Sequence, residues 1–141
     1  MNRPDLGLVE FQGSKTNNIV LQTAGFHDGN LMVFRDENPS ATPDALYKAV
    51  SGRVGPGNWS TADKDLAVWK SPDGIHWTMA QKEGVLLNDG NFDSQNLVFW
   101  DPNTGGYRAY YRTSAQAFDN MNNWLRQIKT ADIADEERIA G

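Results

Sequence analysis

The sequence predicts an all-β fold assembled from antiparallel sheets, and three observations predict it. Eight short apolar runs, rich in branched and aromatic side chains, follow one another at roughly even spacing. Each is bounded by Gly, Pro, Asn or Asp, whose backbone preferences close turns. The chain also echoes itself, with three segments recurring in the same order at an offset of about 60 to 65 residues.

The runs, in order, are Ile19–Leu21, Leu31–Phe34, Ala45–Val50, Leu66–Trp69, Ile75–Met79, Leu97–Trp100, Tyr107–Arg112 and Trp124–Lys129. Before them, GLVEFQGSKTNN (7–18) reads as an entering strand and turn, and residues 53–61 form a loop by composition. SPDGIHW (71–77) closes a tight hairpin, because Gly74 accepts the positive φ the turn demands while Trp77 packs back under it. His76, between Ile75 and Trp77, reads as a solvent-facing residue and not as a catalyst. The polar tail from Ala131 to Ile139 has the composition of a short helix.

The echo is specific. DGNLMVFRDENP (28–39) returns as DGNFDSQNLVFWDP (89–102), where the second copy carries an insertion, Phe92 to Asn96. YKAV (47–50) returns as YRAY (107–110), and LAVWKSPDG (66–74) more faintly as RQIKTADIAD (126–135). A repeating four-stranded unit of this length fits a β-propeller blade. The expected organisation is therefore one domain over residues 1–141: a first blade at about 19–79, a second at about 85–130, and the tail. Two blades leave apolar faces and strand edges open, so completion by homo-oligomerisation is expected.

Composition narrows the function classes. The 141 residues carry a formal net charge of −5 without a basic cluster, which gives a phosphate backbone nothing to hold, so nucleic acid is not an expected partner. No apolar window is long enough to span a bilayer, and the first residues lack a signal-peptide core. The expectation is no membrane partner and a cytoplasmic location for the chain as written, with secretion open if the chain is a fragment. Zero cysteines removes disulfides, thiolate metal sites and cysteine nucleophiles. Neither a nucleophile elbow nor a phosphate loop is present.

The candidate chemistry sits ahead of the apolar runs. Asp89, Asn91 and Asp93 place oxygens at alternate positions that can converge on a hard cation such as Ca²⁺, though without a complete EF-hand pattern. Phe92 and Trp100 offer stacking faces, Asn96 an amide, and Arg112 a bidentate grip on a carboxylate or carbonyl oxygen. In the first copy, His27-Asp28-Gly29-Asn30 occupies the equivalent place, and the His27 imidazole suits general-base work near neutrality.

Together GFHDGNLMVFRDENP, LYKAV, SPDGIHW and NFDSQNLVFWDPNTGGYRAYYR resemble the amino-terminal blades of five-bladed propeller glycoside hydrolases, the invertase, fructosidase and arabinosidase superfamily, over roughly residues 5–130. SPDGIHW also resembles the Asp-box turn of sialidase-like propellers, shortened by one residue. The superfamily resemblance implies a site at the mouth of a central channel, to which inner strands each deliver one acid. It maps Asp36 and Asp93 onto the first two acids. The third, a glutamate that protonates the leaving oxygen, has no match, although glycoside hydrolysis needs two carboxyls straddling the bond. The expected function is glycosidase-like binding or hydrolysis of carbohydrate. A calcium-dependent hydrolase of lactones or other esters, acyl-lactone signals among them, is the alternative, and a non-catalytic binding or assembly module is the third class.

Overall fold

The computed structural model of the chain describes residues 5–22, 30–52, 65–80, 86–92, 94–116 and 124–133. Within them the protein is mostly β and forms two antiparallel sheets. The first contains β1 (Met32–Arg35), β2 (Tyr47–Gly52), β3 (Leu66–Ser71) and β4 (Thr78–Met79), in that spatial order. The second contains β5 (Leu97–Asp101), β6 (Gly106–Gln116) and β7 (Trp124–Ile133), again in chain order. A single 3₁₀ turn, Pro43–Ala45, leads into β2.

Seven of the eight expected runs are strands. Ile19–Leu21 is not; it follows a loop in which Gln12 and Gly13 take positive φ between the bridged pair Phe11 and Ser14. Asn17 ties that loop together, its Nδ2 donating to the Val9 carbonyl at 2.8 Å and its main-chain oxygen accepting from Leu6 N at 2.9 Å. The second sheet has three strands among the described residues where four were expected. The expected helix also gives way at its start: residues 131–133 finish β7, because Ala131 and Ile133 pair with Ala109 and Tyr107 and Ile133 is buried in the core. That burial outweighs a weak local helical preference.

The repeat is visible in the strand registers. Val33 pairs with Ala49 and Arg35 with Tyr47 in the first sheet; Val98 pairs with Ala109 and Trp100 with Tyr107 in the second. Met32, Phe34, Lys48 and Val50 therefore share one face of the first sheet, by the two-residue period of a strand. The second sheet turns Val98, Trp100, Tyr107, Ala109 and Tyr111 toward that face. The core lies between them, with Val50, Leu66, Val68, Val98, Tyr107 and Tyr111 buried. Leu86 and Phe92 plug it from the connecting segments. Two glycines are dictated by close approach: a Cβ on Gly52 would lie 2.3 Å from the Phe92 carbonyl oxygen, and one on Gly90 would lie 2.5 Å from the Tyr111 ring.

β1 and β5 run side by side in the same direction. At their starts, Val98 N approaches Met32 Sδ at 3.4 Å. At their ends, Tyr107, the partner of Trp100, donates its hydroxyl to Asp36 Oδ2 at 2.6 Å. Asp36 also pairs with Lys48, both side chains being fully buried. Its Oδ1 accepts from Asn38 N at 3.0 Å, while the Lys48 ammonium donates to the Ala45 carbonyl at 3.3 Å and lies 5.8 Å from the Tyr107 ring centre. The 3₁₀ turn thus supplies an acceptor to a charge that would otherwise depend on Asp36 alone.

The turn at residues 71–77 is built as its composition demands. Ser71 Oγ accepts from Gly74 N at 2.9 Å, Asp73 Oδ1 accepts from Ile75 N and His76 N at 2.8 Å each, and Trp77 Nε1 donates to the Gly74 carbonyl at 3.1 Å. Gly74 has φ +77°, and a Cβ there would lie 3.8 Å from the Tyr47 ring. The His76 amide and ring hold the Asp73 carboxyl well below the usual range, and the His76 ring itself is exposed. Because the turn extends through Trp77, β4 is shorter than the run Ile75–Met79.

Breaking the buried pair from one side leaves an uncompensated charge. Lys48→Met should cost about 3–5 kcal/mol. In Asp36→Asn/Lys48→Met the loss should fall short of the two single losses added together, as expected for groups in direct contact. Urea denaturation of the three variants checks this; strict additivity would mean that the two charges do not stabilise each other.

Candidate functional site at the starts of the inner strands

β1 and β5, the strands at which the two sheets adjoin, are the inner strands, and the inserted segment of the second repeat leads into β5. Leu97 pairs with Tyr110, so an uninterrupted strand would bring residue 95 opposite Arg112. Asn91 takes that place instead, its N–H donating to the Arg112 carbonyl at 2.7 Å. Phe92 and Asn96, which flank the middle of the segment, turn into the core and are buried. Asn96 ties the base of the loop: its Nδ2 donates to the Ser94 carbonyl at 2.8 Å and to the Phe92 carbonyl at 3.2 Å, with the residue fully buried. Its Oδ1 is buried and has no hydrogen-bond partner among the described residues. An acceptor left so costs about 1–3 kcal/mol unless a donor reaches it.

Beside this loop, Asp89 accepts from the Tyr111 hydroxyl at 2.8 Å and pairs with the Lys129 ammonium. Lys129 and Tyr111 sit opposite each other on β7 and β6, so one carboxylate clamps the two strands to the approach segment. The Lys129 hydrogen bond holds the Asp89 carboxyl below its ordinary value. Burial, and then the Asp89 carboxylate, push the Tyr111 hydroxyl well above its own. Tyr111 tilts against Phe92 with ring centres 5.4 Å apart.

The structure distributes the expected site residues unevenly. Asp89, Asn91, Phe92, Asn96 and Arg112 come together at the starts of the inner strands. Phe92 is 2 % exposed, so its ring fills the core and presents no free face to a ligand. Trp100 is half-buried and packs edge-on to Tyr107, with centroids 5.2 Å apart and planes at 76°. Asp36 lies at the opposite ends of the same strands, sealed between the sheets by Lys48 and the Tyr107 hydroxyl. His27 and Asp93 lie outside the described residues. Asn30, two residues before β1, stands at the same end of the strands as Asn91 and Asn96.

Asp89 already faces an ammonium, which opposes a second cation there, and among the described residues no group of three or more His, Asp or Glu side chains could hold a metal ion. The described part of the cluster offers a carboxylate, an ammonium, a phenol and amides. That mixture suits neutral hydroxyl-rich ligands, which both donate and accept. Sequence reasoning missed Lys129 and Tyr111. The signal for Tyr111 was its alternation with Ala109 and Tyr107 on the buried face; Lys129, 40 residues beyond Asp89, had none. Among the described residues no helix is long and apolar enough to cross a membrane. No family model, curated protein or solved structure matches the chain.

Because its folded-state pKa is depressed, Asp89 contributes stability above its unfolded value of about 4, and the contribution is lost as pH falls through the folded value. Both partners are about half exposed, which limits the effect to about 1 kcal/mol. Asp89→Asn should lower the unfolding midpoint at pH 7, and the gap to the parent should narrow as pH falls below about 4. A constant gap across that range would assign the loss to packing.

Proposed function

We propose that the chain is a glycoside-hydrolase-like pair of propeller blades that binds carbohydrate at the starts of β1 and β5. The observation that carries this reading is the half-exposed pair Asp89 and Lys129, held by the Tyr111 hydroxyl beside Asn91 and above the buried amide of Asn96. Sugar hydroxyls can donate to the Asp89 carboxylate and accept from the Lys129 ammonium, while Asn96 holds the base of the loop. The resemblance of FDSQN followed by FWDP and YRAYYR to propeller glycosidases supports the same ligand class.

Hydrolysis needs a second carboxyl within about 5–10 Å of the first across the bond. In this reading Asp89 orients the sugar and Asp93, two residues beyond Asn91, is the acid nearest to it in sequence. Asp36 is not part of the pair; its carboxylate serves Lys48, Tyr107 and Asn38.

Titration calorimetry against neutral pentoses, hexoses and their oligomers tests the binding reading, with aryl glycosides as hydrolysis substrates. The expected outcome is saturable binding that Asp89→Ala or Lys129→Ala weakens about tenfold or more, equivalent to about 1.4 kcal/mol. Absence of saccharide binding, or turnover of a lactone that a chelator abolishes, would overturn it.

A further inference from the structure

The two sheets meet through a clasp whose parts occur twice in the chain. In the first copy, Asp36 ends β1, its Oδ1 accepts from Asn38 N two residues on, and it pairs with Lys48 on β2. In the second, Asp101 ends β5, its Oδ1 accepts from Asn103 N at 2.9 Å, and Arg108 on β6 approaches it at 3.4 Å. The registers make the correspondence exact in position: Phe34 pairs with Lys48, and Phe99 with Arg108. The first clasp is closed by the Tyr107 hydroxyl of the adjoining sheet. The second receives no tyrosine within the chain.

The tyrosine that corresponds to Tyr107 is Tyr47, which pairs with Arg35 as Tyr107 pairs with Trp100. Tyr47 is half-buried, and its hydroxyl makes no hydrogen bond among the described residues. Around it the face is open where its counterpart is closed: Val33 is 48 % exposed, whereas its equivalent Val98 is fully buried. The farther part of that face, Ala49, Ser51 and Ala67, is already covered, which confines any contact to β1 and the start of β2. The outer face of the second sheet is open as well. Leu97 is 42 % exposed, Phe99 37 % and Ile128 73 %, and Phe99 stacks on Tyr110 with ring centres 6.1 Å apart. Leu97 and Phe99 are the equivalents of Met32 and Phe34, which inside the chain are packed under the second sheet.

We infer that the outer face of the second sheet, at Leu97, Phe99 and Asp101, receives the Val33, Arg35 and Tyr47 face of a second copy of this chain, repeating the internal contact between the sheets. The occupant is set by the internal interface. Val33 of the incoming copy takes the place of Val98, Arg35 that of Trp100, and the Tyr47 hydroxyl reaches the Asp101 carboxylate as Tyr107 reaches Asp36. Different surfaces meet, so the contact is head-to-tail, and it either closes a ring of copies or propagates. It does not depend on carbohydrate binding.

Light scattering of the purified chain over a range of concentrations tests this, with circular dichroism to show that each variant remains folded. The parent should run at a multiple of the single-chain mass. Val33→Asp and Phe99→Asp should each run as single chains, and Tyr47→Phe should weaken association severalfold. An equimolar mixture of Val33→Asp and Phe99→Asp should recover a two-chain particle, because each variant keeps the face the other has lost. If a variant unfolds, Val33→Lys or Ile128→Asp replaces it. A parent that stays a single chain at every concentration overturns the inference. So does a Val33→Asp variant that associates like the parent, since the second-sheet face would then be pairing with itself.

Discussion

The arrangement of the two sheets depends on one buried ion pair. Asp36 and Lys48 lie on the same sheet, yet the carboxylate is completed only by Tyr107 from the other. Burying two charges is costly, and their attraction offsets that cost only where the remaining lone pairs and protons find partners. Here Asn38 N, the Tyr107 hydroxyl and the Ala45 carbonyl provide them. An apolar contact between the sheets could slide by a residue with little penalty; a carboxylate that needs a hydroxyl at one point cannot. The pair therefore sets the position of β5 against β1, and with it everything at the other ends of those strands.

That constraint explains why the inner strands divide their labour. At their far ends, Asp36 and Asp101 each accept from the main chain two residues on and each attract a cation from the next strand, so their carboxylates are engaged in holding turns and sheets. At their starts the second copy must also accommodate four extra residues between Asn91 and Leu97. A strand cannot absorb such an insertion within its ladder. The inserted loop leaves carbonyls needing donors, which Asn96 supplies, and leaves the Asn96 oxygen needing one. The unsatisfied polar group is thus a consequence of the insertion and not of the repeat.

Much of the fold was legible in the sequence, for identifiable reasons. Seven strands were marked by apolar runs between turn residues, and the turn at 71–77 by Ser, Asp, Gly and Trp at fixed spacing. The duplication was legible because YKAV and YRAY preserve the alternation that puts Ala49 and Ala109 at equivalent pairing positions. Ile19–Leu21 misled because three branched residues satisfy strand propensity without a partner edge to pair with, and 131–133 misled because the burial of Ile133 is a tertiary fact. The site was less legible. Aligning the two copies sets Asp36 opposite Asp101, yet the resemblance drew Asp36 toward Asp93 as a catalytic pair. Charge and residue type cannot tell an acid that caps a strand from one that meets a ligand; the strand end on which it stands can.

The same reasoning separates what a repeat shares from what makes one copy particular. Equivalent residues at the far ends, Asp36 with Lys48 and Asp101 with Arg108, differ chiefly in whether a tyrosine from a neighbouring sheet arrives. Arginine suits the second position because its planar guanidinium can serve two carboxylates at once, and Arg108 does so, bonding Asp132 through Nε at 3.0 Å while Nη1 faces Asp101. Lysine, a point charge, suits the first, where one fully enclosed carboxylate and one carbonyl are its partners. The cation chosen in each copy thus matches the exposure of its clasp, with Lys48 enclosed between sheets and Arg108 at the boundary with solvent.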